Sequence, residues 1–212
     1  VRRAIAAEPA AVSGVEQPPP VRGRDDRRGR RVDLAAEFLS AAINAFEANK
    51  RLADRAVGQV PDDKLHVAPD GNTNSIAVIM KHVAGNLTSR WTDFLTADGE
   101  KLWRDRDGEF VDTFRGRADV LDCWERGWAC LLTALRGLNG EDLGKVVTIR
   151  GERHSVPLAL ARSLGHTCYH IGQIVQVARL HAGEKWDTLT IPRGGSGEFN
   201  QAHWGQTGKS HS

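Results

Sequence analysis

The sequence predicts an all-α fold, a four-helix bundle in which at least one connection crosses from one end to the other. Three observations carry this. Four segments place apolar residues at three- and four-residue spacing, residues that cap and stop helices bound those segments, and two of the connections are long. Antiparallel neighbours need only short loops, so residues 97–116 and 139–154 are longer than a simple up-and-down order requires.

The first helix starts after Asp33, a good N-cap, and Leu34, Phe38, Ala41, Ala45 and Leu52 then trace one expected buried face. Gly58 and Pro61 end it, and Pro69-Asp70-Gly71-Asn72 forms a turn cluster. The second helix follows from Ser75, capped by Asn74 or Ser75, and is expected to run to Thr96. A third fits Arg117 to Leu138, with Leu121, Trp124, Trp128, Leu131, Leu135 and Leu138 on its apolar face. The fourth is the best marked: Ser155 caps it, Pro157 sits in its first turn and Gly183 stops it. Just before it, Val146 to Ile149 and Arg153 to Val156 flank Arg150-Gly151-Glu152, the pattern of a small β-hairpin.

Outside this region, residues 1–31 hold a triple proline and an Arg/Asp/Gly run, a composition that predicts disorder. Such an extension serves either as a basic arm for anionic partners or as a segment with no role. Residues 201–212 are expected to be a flexible tail after the bundle at 32–200. Of the 29 basic and 27 acidic residues, eight arginines and four acids fall in residues 1–31, leaving 21 against 23, a net of −2. The folded part therefore lacks the basic surface that a nucleic-acid binder needs. No apolar run is long enough to span a bilayer. Three cysteines, Cys123, Cys130 and Cys168, have no metal-finger spacing and read as small core hydrophobes in a reducing cytoplasm. Trp124 and Trp128 read as core anchors.

The histidines carry the chemistry. His166 and His170 lie four apart on the fourth helix, so at about 100° per residue both rings leave one face, one turn apart. Gln173 and Arg162 fall within about 40° of His166, whereas Cys168 points away. On the second helix His82 interrupts an apolar stretch, and Asn86, Ser89 and Asp93 follow close to its direction. Two helices that each carry histidine with amides and hydroxyls on one stripe point to a shared polar pocket, the way bundles build metal sites. The spacing alone leaves a second reading open, in which each imidazole satisfies a backbone carbonyl. His154, His181, His203 and His211 belong to no constellation.

The chain also resembles a known family, through Asn74 to Ala77 with Lys81-His82, Gly85-Asn86 on to Ser89-Arg90-Trp91 and Leu95, and Asp98 to Lys101. The likeness continues in Trp103-Arg104, Arg106-Asp107, Glu109-Phe110, Trp124-Glu125, Gly127-Trp128, Thr148 to Arg150, His166 to Gln173, and Ile191 to Gly194 with Phe199-Asn200. These segments are similar to the DinB/YfiT-like superfamily of four-helix metalloenzymes, within a branch catalogued only as a domain of unknown function. The resemblance implies an up-down-down-up helix order, a tendency to form homodimers, and metal ligands at His82, His166 and His170. It also implies zinc or nickel as the ion, which imidazoles suit.

Three imidazoles leave a coordination position open for water or substrate. The expected activity is that of a metal-dependent transferase, thiol-dependent in some relatives of the superfamily, or a hydrolase acting on a small molecule. The alternative is a non-catalytic bundle that a metal staples, a binding or stress-response module. The glutamate that zinc peptidases place after the first histidine is absent, since Thr167 stands there. Asp93 and Tyr169 are candidates for proton transfer, or for orienting an imidazole, and the second role is preferred. Arg90, Arg104, Arg150 and Arg193 would suit an anionic substrate if they converge, or else pair with nearby acids on the surface. Gly194, Gly195 and Gly197 form either a backbone nest for an anion or a loop.

Overall fold

Five α-helices, four short 3-10 turns and one two-stranded antiparallel sheet make up the regular structure of the described residues, 32–204 of a computed structural model. The extension expected over residues 1–31, and residues 205–212 of the expected tail, lie outside the described residues. Helix α1 (Leu34–Val57) begins where Asp33 Oδ1 accepts the N–H groups of Ala35 and Ala36, at 3.0 and 3.2 Å. Its buried face differs from the expected one. Leu39, Phe46, Ala53, Ala56 and Val57 are buried, while Leu34 and Phe38 are 79% and 40% exposed. Alanines line both sides of this helix and carry too little apolar area to choose between neighbouring stripes. Phe46, with none of its surface exposed, decides the rotation.

Helix α2 (Ile76–Trp91) is capped by Ser75, whose Oγ accepts the Val78 N–H. It is buried on almost every side, as expected of a helix that is apolar nearly all round. It ends five residues before the expected Thr96. The Thr88 and Thr92 hydroxyls bond back to the carbonyls of Ala84 and Thr88, Thr92 turns extended, and Asp93 adopts a left-handed φ of 49°. Helix α3 (Arg117–Arg136) buries Trp124, Trp128, Leu131 and Leu135, and Gly127 lets it approach α2: a Cβ there would stand 2.6 Å from the Ala84 Cα.

Strands β1 (Val146–Ile149) and β2 (Glu152–Ser155) pair as a hairpin. The turn is one residue shorter than expected. Arg150 and Gly151, both at positive φ, form a two-residue connection whose twist matches the strands, which frees Val156 to open α4. Helix α4 (Val156–Ala182) is capped by Ser155 and stopped at Gly183, at φ 56°. Beyond it the glycine-rich stretch leads into a further helix, α5 (Ser196–Trp204), which crosses residue 200 where a flexible tail was expected.

Helix α2 packs mainly on α3 and α1 mainly on α4, with further α2–α4 and α1–α3 contacts. Phe46, Trp91 and Trp128 meet edge to face in the core, and Trp124 packs on Trp128 at a centroid distance of 5.4 Å. The Trp91 indole N–H reaches the Ser163 hydroxyl and so links α2 to α4. The thiols are free; Cys130 is half-buried and packs against the core as expected, whereas Cys123 is only half-buried and Cys168 exposed, which corrects the expectation of core cysteines for Cys168. Cys168 lies opposite the inward stripe of α4, which puts it on the outside. No described helix is long and apolar enough to cross a membrane.

Candidate metal centre

His82 projects from α2 toward α4, where His166 and His170 stand one turn apart. Each of the three offers a ligand atom, and these atoms all lie within 4.8 Å of one another. The Nε2 atoms of His82 and His166 are 3.3 Å apart. That is close to the spacing of two nitrogens bound at about 2.0–2.1 Å to one tetrahedral ion.

The groups behind the rings set their orientation. His82 is buried, and its Nδ1 lies 2.9 Å from Oε2 of the buried Glu109. Burial opposes charge on Glu109, but hydrogen bonds from His82 and Arg104 hold its carboxyl below the ordinary range. It therefore accepts the Nδ1–H and leaves the His82 Nε2 lone pair facing the other histidines. In the same way His170 Nδ1 lies 2.9 Å from the Gln173 side-chain oxygen, which can only accept, so Nε2 is again the free nitrogen. Such outer acceptors are usual behind metal-bound histidines. The donor set fits a divalent ion of the first transition row.

Local sequence explains why Glu109 arrives there. The turn at Gly108–Phe110 is fastened to α2 by Lys81, whose ammonium donates to the carbonyls of Gly108 and Val111 and to the Thr113 hydroxyl. Gly85, one turn further along α2, makes room for the carboxylate: a Cβ there would fall 2.2 Å from Glu109 Oε1. Arg104, almost wholly buried, grips Glu109 with two bonds of 2.8 and 2.9 Å. Phe110 stacks on the His82 ring at 4.6 Å.

Burial, followed by the neighbouring His170 and His82 and the guanidiniums of Arg104 and Arg90, pushes His166 down to about 4. Burial also lowers His170, against the opposing bond from Gln173. Both imidazoles are neutral near pH 7, the form in which they ligate metals.

A cavity of about 150 Å³ opens beside His82 and His166, lined by Asn86, Arg90, Arg106, Arg150, Arg162 and Ser163, with Ile149 and Ala159 as its apolar wall. Of the residues singled out from sequence, Asn86, Arg90, Arg150 and Arg162 lie on this cavity and Gln173 on His170. Ser89 is occupied elsewhere, donating to the Gly99 carbonyl and accepting from the Lys101 N–H. Asp93 is exposed beyond the end of α2, away from the cavity, because the helix that would have carried it round stops at Trp91. Tyr169 is 64% exposed, its ring edge-on to His170 at 5.0 Å. Arg193 is exposed and stands off the cavity.

The role of Glu109 is not legible in the sequence: Glu109-Phe110 is a family-like segment, yet no periodicity ties a loop acid to a helical histidine. His154, given no part, is buried and bonds Arg162 at 2.9 Å through Nε2. Over residues 33–195 the chain matches a family described as "Protein of unknown function (DUF1572)". No curated protein and no solved structure matches it.

Proposed function

We propose, for a chain that belongs to the DUF1572 family of proteins of unknown function, that it is a metal-dependent enzyme acting on a small molecule. Its four long helices are read as an up-down-down-up bundle of the DinB/YfiT-like kind, with zinc or nickel held by His82, His166 and His170. One observation carries the reading: three imidazoles on two helices converge, and Glu109 and Gln173 engage Nδ1 of His82 and His170, which leaves Nε2 of each free for a ligand bond.

Structural zinc sites are closed by four protein ligands. Here three histidines converge without a fourth His, Cys, Asp or Glu among the described residues, which favours an open, reactive centre over a staple. A divalent ion in an open site supplies Lewis acidity and makes a water or thiol nucleophilic near neutral pH. The protein's part is to hold the imidazoles neutral and aligned, and to place a substrate in the adjoining cavity. Glu109 is engaged by both His82 and Arg104, so it is a positioning residue and not a base. Transfer to or from a thiol, or hydrolysis, are the reaction classes that such a centre serves.

The test is metal analysis by mass spectrometry of the purified protein and of His82→Ala, His166→Ala and His170→Ala. About one zinc or nickel per chain is expected, lost in each variant that keeps its helical signal. A parent protein that takes up no metal from a panel of divalent ions ends the reading.

A further inference from the structure

The cavity beside the histidines is lined by arginines drawn from four separate segments: Arg90 on α2, Arg106 in the following loop, Arg150 in the hairpin turn and Arg162 on α4. Arg104 lies close behind. Against these five guanidiniums stand few acids. Glu100 is shared by three of them: Arg150 Nε donates to it at 3.1 Å, Arg104 reaches it at 3.4 Å and Arg90 only at 3.6 Å, so one carboxylate serves three guanidiniums. Glu109 is spent on Arg104 and His82, and Glu152 meets Arg162 only at 3.8 Å. Arg106 has no hydrogen bond or ion pair among the described residues.

Two further observations point the same way. The Arg90 Nη1 is buried without a hydrogen-bond partner, an expensive condition for a charged donor. Burial and the neighbouring Arg104, Arg150 and Arg162, only partly offset by Glu100, push Arg90 down to about 10. A cation placed among other cations and short of acceptors is arranged for an anion that the chain itself does not provide.

We propose that this cavity binds a small molecule bearing an oxyanion, held by Arg90, Arg150 and Arg162, with the rest of the molecule lying along Ile149 and Ala159 toward His82 and His166. Guanidinium forks match the geometry of a carboxylate or a phosphate. The volume limits the size, for about 150 Å³ is well under the roughly 300–1,000 Å³ of pockets that enclose drug-sized ligands. The enclosed part is therefore a few heavy atoms, such as a short organic acid or the phosphate end of a larger compound. That this anion is the substrate rests on the metalloenzyme reading above; the binding does not.

Isothermal titration calorimetry at low ionic strength with acetate, malonate and inorganic phosphate tests it. Titrations are run on metal-free and zinc-loaded protein, and on Arg150→Gln and Arg162→Gln, whose side chains are 48% and 45% exposed and so tolerate replacement. The expected result is one-to-one binding of at least one probe to the metal-free protein, weakened tenfold or more in each variant with unchanged melting behaviour. The stronger of the carboxylates and phosphate names the oxyanion. No binding, binding that both variants retain, or binding seen only with zinc and insensitive to the arginines overturns the proposal. Anion binding by a protein that takes up no metal would instead sink the metalloenzyme reading and leave this one standing.

Discussion

Glu109 shows what one side chain does at this centre. It meets His82 from a loop 27 residues further along the chain, and Arg104 keeps it charged and fixed. Replacing it by glutamine retains a carbonyl for the His82 Nδ1–H but removes the negative charge and one acceptor from Arg104. For Glu109→Gln we expect zinc affinity, measured by chelator competition, to fall about 10–100-fold. Urea unfolding should show a loss of about 3 kcal/mol, at the low end for a broken buried pair because Arg104 keeps Glu100. Unchanged affinity would mean that Glu109 supports Arg104 alone. The three histidines were legible because helical geometry converts a spacing of four into a shared face, and because an imidazole amid Ile76 to Val83 is conspicuous. Glu109 was not, since nothing in a loop's sequence says which helix it will lie against.

At the scale of elements, the connection after α2 is not slack chain but a clamp on the hairpin. Asp98 Oδ1 accepts the N–H of Arg150 and Oδ2 that of Gly151, each at 2.8 Å, and the Gly99 N–H donates to the Thr148 carbonyl. The clamp holds the two positive-φ residues of the turn and so sets Arg150 on the cavity. Burial works to raise the Asp98 carboxyl, but the N–H groups of Glu100, Gly151 and Arg150 and the Thr148 hydroxyl overcome it and bring it to about 2. In the unfolded chain it titrates at about 3.9, so its stabilisation is complete above about pH 4 and lost as the pH falls through 2. Asp98→Asn cannot titrate. It should be less stable than the parent by about 1 kcal/mol at pH 7, a gap that closes between about pH 4 and 2 in denaturant titrations; a gap constant over that window would refute the clamp. Helix boundaries followed the caps, so Asp33, Ser75, Ser155 and Gly183 could be read directly. The rotation of α1 could not, because its alanines make two stripes nearly equivalent, and the early end of α2 depends on threonine back-bonds that look like ordinary helix residues.

For the whole molecule, charge and stability both separate from the local site. The part beyond residue 31 has a net charge of −2, yet its cavity gathers four arginines, because chain folding brings together residues from distant segments that a sum over the sequence averages away. The core of Phe46, Trp91, Trp124 and Trp128 joins the helices without help from the histidines, and the Trp91–Ser163 bond already ties α2 to α4. A bound ion should therefore add stability to a chain that folds without it, unlike a zinc finger, where metal binding and folding are one event. With free zinc at a hundred times its Kd the gain is about 2.7 kcal/mol, and for a chain of this size that shifts Tm by roughly 5–10 °C. Chelation should lower Tm by that amount while leaving the far-ultraviolet circular dichroism at 25 °C unchanged. Loss of helical signal on chelation would show that the metal holds the fold itself, and an unchanged Tm in a protein that had bound zinc would show that the ion binds the unfolded chain as tightly as the native one.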